Sequence, residues 1–230
     1  SYPIPVSTRI GSRFRNFILS KKSVVTFSFF ALLSAAITLG LFLNAEYLNL
    51  QRMREKAVSI ASTGALHFNA DDLNRLNKES DWQSPEWAKV VHTLALIRRQ
   101  DTDIYFAYII RRVPGNPNAM EFVADSHSIN PYANTDDDPS NDVDLNQNAI
   151  YDGPDVLQWP GQVYETPPKT AFQAYEGPIA TSSFYEDQWG KFVSGYSPIR
   201  DNDGKVVAVL AIDILSTKLD ELNAETFSPF

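Results

Sequence analysis

The sequence predicts an α+β protein carried on an amino-terminal helix long enough to cross a membrane. Three observations predict it. The run from Ser23 to Ala45 is apolar and holds no charge, helix-start signals dominate up to Arg99, and β-branched and aromatic segments joined by turn sequences follow Asp103. With 230 residues, 43% of them apolar and 21% charged, the chain can bury a core of one large domain.

Charge divides the chain before any motif does. Residues 1–45 carry Arg9, Arg13, Arg15, Lys21 and Lys22 and no acid, so the net −8 conceals +5 there and −13 in the remainder. That acidic remainder excludes a generally nucleic-acid-binding protein. The absence of cysteine excludes disulfides, thiolate metal sites and cysteine nucleophiles.

The uncharged run, at about 1.5 Å per residue, reaches roughly 34 Å as a helix, enough for a hydrocarbon core of about 30 Å. Ser28, Ser34 and Thr38 are compatible with it, because hydroxyls can bond carbonyls one turn back. A cleaved signal peptide, the competing reading, has an apolar region of only about 7–15 residues. The basic flank predicts residues 1–22 as a cytoplasmic tail, 23–45 as the span, and the bulk of the chain outside.

No proline occurs between residues 6 and 84, so one helix can continue beyond the span. Leu50, Met53, Ala57, Ile60 and Gly64 recur at three- and four-residue steps. Two readings of that stripe stand: a stiff coupling to the membrane that also pairs two copies into a homodimer, or a face that packs on its own domain. Ala31/Ala35 and Ala36/Gly40 are small-residue pairs that would let two spans approach.

Asn69 followed by Ala-Asp-Asp predicts a short capped helix. Ser84-Pro85-Glu86 predicts a second, with Trp87, Val91, Leu94 and Ile97 on one face. Ile104–Arg112 and Ala119–Asp125 read as strands about a turn at Val113–Asn118. Gly190–Ile199 and Lys205–Asp213 read as strands about Arg200-Asp-Asn-Asp-Gly204. Leu215–Asn223 reads as a last helix. Between the hairpins, residues 127–180 hold seven of the fourteen prolines, nine acids and one base, Lys169. Its tyrosines and tryptophan predict an ordered lid over the sheet.

Helices, two strands, an irregular insertion, then Tyr185-Glu-Asp-Gln-Trp-Gly190, Val193-Ser-Gly-Tyr-Ser-Pro-Ile199, Arg200-Asp-Asn-Asp-Gly204 and Val206-Val-Ala-Val-Leu-Ala-Ile-Asp213 together resemble a Cache domain. Cache domains are the PAS-like extracytoplasmic sensors of bacterial transmembrane receptors. The likeness covers about residues 46–220. It implies a PAS-like antiparallel sheet with insertion 127–180, a ligand held between sheet and insertion, and a location in the bacterial inner membrane. It also implies that residues 221–230 begin a connector to a second membrane helix and to a cytoplasmic kinase, cyclase or chemoreceptor output.

Alternation on the last two strands places Phe192, Ser194 and Tyr196 on one face and Val207, Val209, Ala211 and Asp213 on one face. Aromatic rings beside one carboxylate suit a small amine-bearing or polar ligand. With the place implied by the resemblance, the candidate ligand-binding residues are Tyr108, Asp125, Tyr185, Trp189, Tyr196 and Asp213. A second reading makes Asp213 the cap of a helix beginning at Ile214. Asp142, Asp144 and Asn146 alternate as oxygen ligands in a calcium loop do, making calcium a candidate cofactor, although Gln147 and Gly153 depart from the EF-hand pattern. No phosphate-binding loop, zinc-protease or hydrolase-elbow motif is present, so enzymatic activity is expected only in a further domain. The leading expectation is a membrane-anchored small-ligand sensor. The rival is an anchored protein that docks a protein partner through its acidic, aromatic insertion.

Overall fold

A computed structural model describes residues 21–145, 150–151, 155–187 and 190–216. It is a mixed fold of helices and one antiparallel sheet, preceded by a long apolar helix. The chain divides into two compact units, Ser1–Asn49 and Leu50–Phe230. In the first unit, helix α1 (Lys21–Ala65) begins, and Phe27, Phe30, Leu32 and Leu39 on it are exposed. This one helix near the amino terminus is long and apolar enough to span a membrane.

The second unit takes the last turns of α1, followed by α2 (Ala70–Asn74), a 3₁₀ segment (Glu79–Gln83) and α3 (Pro85–Arg99). Both predicted caps form. Asp71 N donates to Asn69 Oδ1 at 2.7 Å, and Trp87 N donates to Ser84 Oγ at 3.1 Å, with Pro85 in the first turn where no amide partner is lost. The carbonyls at the end of α2 are satisfied from the sheet: Arg111 donates to Leu73 O (3.2 Å) and Leu76 O (2.8 Å) while its Nε bonds buried Glu121 at 2.7 Å.

The sheet comprises β1 (Ile104–Val113), β2 (Asn116–Asp125), β3 (Val163–Tyr164), β4 (Ile179–Ala180), β5 (Tyr185–Asp187), β6 (Gly190–Arg200) and β7 (Val206–Leu215). Its order is β3-β2-β1-β7-β6-β4, with β5 also paired to β6. The first and last long strands therefore lie side by side at the centre. The first turn is tighter than the predicted six-residue one. Pro114 and Gly115 alone occupy it, with Gly115 at φ 81°, a value only glycine adopts easily. Pro117 is tolerated in β2 because it falls in the register irregularity between the Val113–Asn116 and Arg112–Met120 pairs, where it has no paired partner on β1. Strand β7 runs two residues past the predicted end, so Leu215 is strand, not helix; the rest of that predicted helix, from residue 217, lies outside the described residues.

The two sheet faces have different covers. One packs Ala107, Ile109, Ala124, Leu210 and Ile212 against Ala57 and Ala61 of α1 and Trp87, Val91 and Leu94 of α3. The other carries Tyr108, Ile110, Tyr196, Val209 and Ala211 against Ala171 and Ala174 of the helical turn α4 (Lys169–Gln173) and its flank. Helices thus cover one face, and part of segment 127–180 covers the other.

Candidate functional site

The site begins with strand register. Tyr108 pairs with Asp125 on one side and Ala211 on the other; Phe106 pairs with Asp213, and Asp213 with Ser194. Directly opposed residues of antiparallel strands share a face. Phe106, Tyr108, Asp125, Ser194, Tyr196 and Asp213 therefore project together, away from α1 and α3.

Two bulges make this possible. Simple alternation would put Phe122 and Asp125, three residues apart, on opposite faces. An irregularity in the β1–β2 register leaves Val123 and Ala124 together in the helix-side core and returns Asp125 to the side of Phe122. A second shift between Ile104 and Phe106 turns Phe106 away from the core that holds Ile104. Bulges re-aim side chains in this way without breaking the sheet.

Over that face lies a cavity of about 80 Å³. Phe106, Tyr108, Phe122, Asp125 and Asp213 line it from the long strands, Tyr164 and Tyr185 from the short strands β3 and β5, and Ser128, Leu145 and Leu157 from the rest of the inserted segment. At roughly 10–15 Å³ per ordered water, the space suits a ligand of about five to eight non-hydrogen atoms. Its rings are mutually fixed: Phe122 stacks on Tyr164 at 4.9 Å, and Phe106 meets His127 edge-on at 5.4 Å.

The polar groups form two sets. In one, the Ser194 hydroxyl donates to Asp213 Oδ1 at 2.5 Å and lies 2.9 Å from Tyr185 Oη. Serine has one proton to give, so Tyr185 donates to Ser194, which donates to the carboxylate. In the other, Asp125 Oδ1 accepts from the backbone N of His127 at 2.7 Å, with His127 Nδ1 at 3.5 Å. Burial, reinforced by the negative field of Asp213, holds the phenols of Tyr108, Tyr185 and Tyr196 well above their ordinary pKa. They stay neutral donors. The Tyr196 hydroxyl is buried among Ser194, Tyr108 and Tyr164 without a well-formed hydrogen bond.

Of the predicted ligand residues, Tyr108, Asp125, Tyr185 and Asp213 line one cavity. Tyr196 lies fully buried on the same sheet face, and Trp189 is outside the described residues. Asp213 is inside β7, whose Ile214 pairs with Val193, so it is no helix cap. Phe106, Phe122 and Tyr164 escaped sequence reasoning; only the aromatic content of the insertion hinted at the last. For calcium, Asn146 lies outside the described residues, and no group of three or more His, Asp or Glu gathers among those described. Asp136 instead accepts from Asn130 (2.8 Å) and Asn141 (3.1 Å), and Asp138 from Ser140 (2.6 Å).

Compared with known proteins, the chain matches no family model and no curated protein.

Proposed function

We propose that the second unit is the extracytoplasmic sensor of a bacterial transmembrane receptor, a PAS-like Cache module that binds a small amine-bearing ligand between its sheet and the 127–180 insertion. The observation that carries this reading is the partly open aromatic cavity lined by Asp125 and Asp213 of the sheet and by Ser128, Leu145 and Leu157 of the inserted segment. Rings exclude water and stabilise a cation over their faces, and a carboxylate in such a place fixes its direction.

Strand β6 supports a route from ligand to membrane. Ser194 and Tyr196 face the ligand side, while Gly195 between them lies against the backbone of Ala57 on α1. A ligand that shifts β6 therefore acts on the helix whose earlier residues form the apolar span. In this reading residues 1–22 are cytoplasmic, the span sits in the inner membrane, and the output lies in a further domain.

The test is a thermal-shift screen of the full chain in detergent against amines, amino acids and carboxylates. A ligand at about a hundred times its Kd adds about 2.7 kcal/mol. At roughly 2–4 °C per kcal/mol, that is a rise of about 5–11 °C. No shift with any compound defeats the reading. The rival, docking of a protein partner, draws on exposed Ile129, Ile150, Tyr151 and Val156 in the acidic insertion. Saturable binding of a basic protein, with melting indifferent to every small compound, would favour it.

A further inference from the structure

Resting on the sensor reading above, we infer that the cavity selects a short aliphatic diamine, held as a dication between Asp125 and Asp213, over amino acids and monoamines.

The charge inventory of the wall carries this. Two carboxylates line the cavity, and no lysine or arginine does among the described residues. An amino acid brings a carboxylate of its own. Here that group would meet two anions and a set of rings, with no guanidinium or ammonium to receive it. A monoamine sets a single cation against two acids. A molecule cationic at both ends and apolar between them answers both acids.

Placement agrees. Asp125 is on β2 and Asp213 on β7, with β1 between, and their β1 partners Tyr108 and Phe106 are two residues apart. From ordinary strand spacing the two backbones lie about 12 Å apart, so the carboxylates reach toward the cavity from separate ends. Between them run the rings of Phe106 and Tyr108, an apolar floor for a methylene chain. The cavity volume of about 80 Å³ matches a chain of four carbons and two nitrogens. The cationic groups nearest Asp125 do not replace a ligand. Arg98 on α3 influences it only through its field and forms no ion pair with it, and His127 Nδ1 stands 3.5 Å away, beyond a good hydrogen bond.

Isothermal titration of the full chain in detergent, at neutral pH, with putrescine, butylamine and γ-aminobutyrate decides it. These probes share a four-carbon backbone and differ only in the second end. Putrescine is expected to bind at least about tenfold more tightly than butylamine, as a second charge-assisted contact implies, and γ-aminobutyrate more weakly than either. In Asp125→Asn the putrescine advantage should fall to less than about threefold while butylamine changes little; Asp213→Asn should weaken both amines, because it removes the shared anchor. Butylamine or γ-aminobutyrate binding as tightly as putrescine overturns the diamine inference and leaves the sensor reading standing. So does an undiminished putrescine preference in Asp125→Asn. Failure of all three probes, and of the wider screen, overturns both. The wild-type comparison needs no variant, so it stands even where a substitution prevents folding.

Discussion

Gly195→Ala examines the joint between ligand face and helix. A β-carbon built at Gly195 would sit 2.3 Å from Ala57 C, 2.5 Å from Ala57 O and 2.6 Å from Val58 N. All three are backbone atoms of α1, so no rotamer change relieves the overlap; the helix must move off the strand. Overpacking ordinarily costs about 1–3 kcal/mol, and an immovable backbone puts this case near the upper end. For a unit of this size, about 3 kcal/mol corresponds to a fall in Tm of about 6–12 °C. The companion is Gly177→Ala, where nothing lies within 4 Å and no positive φ is needed. It should leave Tm unchanged or raise it slightly, since alanine restricts the unfolded chain. Thermal melts of both variants of the full chain, followed by circular dichroism, give the answer. Equal melting would mean that α1 does not ride on β6, and the proposed route to the membrane would fall with the packing.

Three further outcomes are expected. Arg111→Ala should cost about 3–5 kcal/mol in denaturant unfolding, because it strands buried Glu121 and the carbonyls ending α2; a loss below about 1 kcal/mol would contradict that role. In alkaline spectrophotometric titration, Tyr108, Tyr175, Tyr185 and Tyr196 should resist ionisation through burial, and Tyr132, bonded to Glu79, should ionise only at about pH 12. A folded pKa above the unfolded value means the native state keeps its protons longer, so these groups add stability that is complete below about pH 10 and declines as pH rises through the folded values. All ten tyrosines titrating together near pH 10 before unfolding would refute the burial. Because the chain has no cysteine, Asn202→Cys at the tip of the last hairpin supplies a single thiol. A membrane-impermeant maleimide should label it from outside intact cells, and labelling only after lysis would reverse the topology.

What could be read from sequence was local. Ser84 and Asn69 announce helix starts because the cap and its amide partner lie within three residues. Arg200–Gly204 announces a hairpin for the same reason, and the apolar run announces a span by length and composition alone. What could not be read was set by distant partners. The predicted stripe on α1, Leu50, Met53, Ala57, Ile60 and Gly64, does face the core at Ala57 and Gly64, but Met53 and Ile60 are only partly buried and fully buried Ala61 lies outside it. Hydrophobicity favours the large side chains, whereas a helix backbone within reach of Gly195 admits only small ones. Similarly, an alternating reading of β2 joins Glu121, Val123 and Asp125 on one face. The bulge at Val123–Ala124 sends Asp125 to the other, and that depends on pairing with β1. Strand alternation holds where no bulge intervenes, so Asp213 and Ser194 share a face across β6 and β7, whereas the choice of Tyr108 and Tyr185 rests on the family resemblance. Phe106 escapes such a reading because a bulge sets its orientation, and Phe122, which alternates simply with Met120, because its neighbours on the face come from distant strands.

The proposed small cation would lie in the cavity between the sheet and the inserted segment. An experimental density map of the full chain with putrescine tests it most directly. Density is expected over the Phe106 ring, running from Asp213 to Asp125 beside Leu157 and Tyr164. A cavity filled by the protein's own side chains, or the amine bound elsewhere, would contradict it.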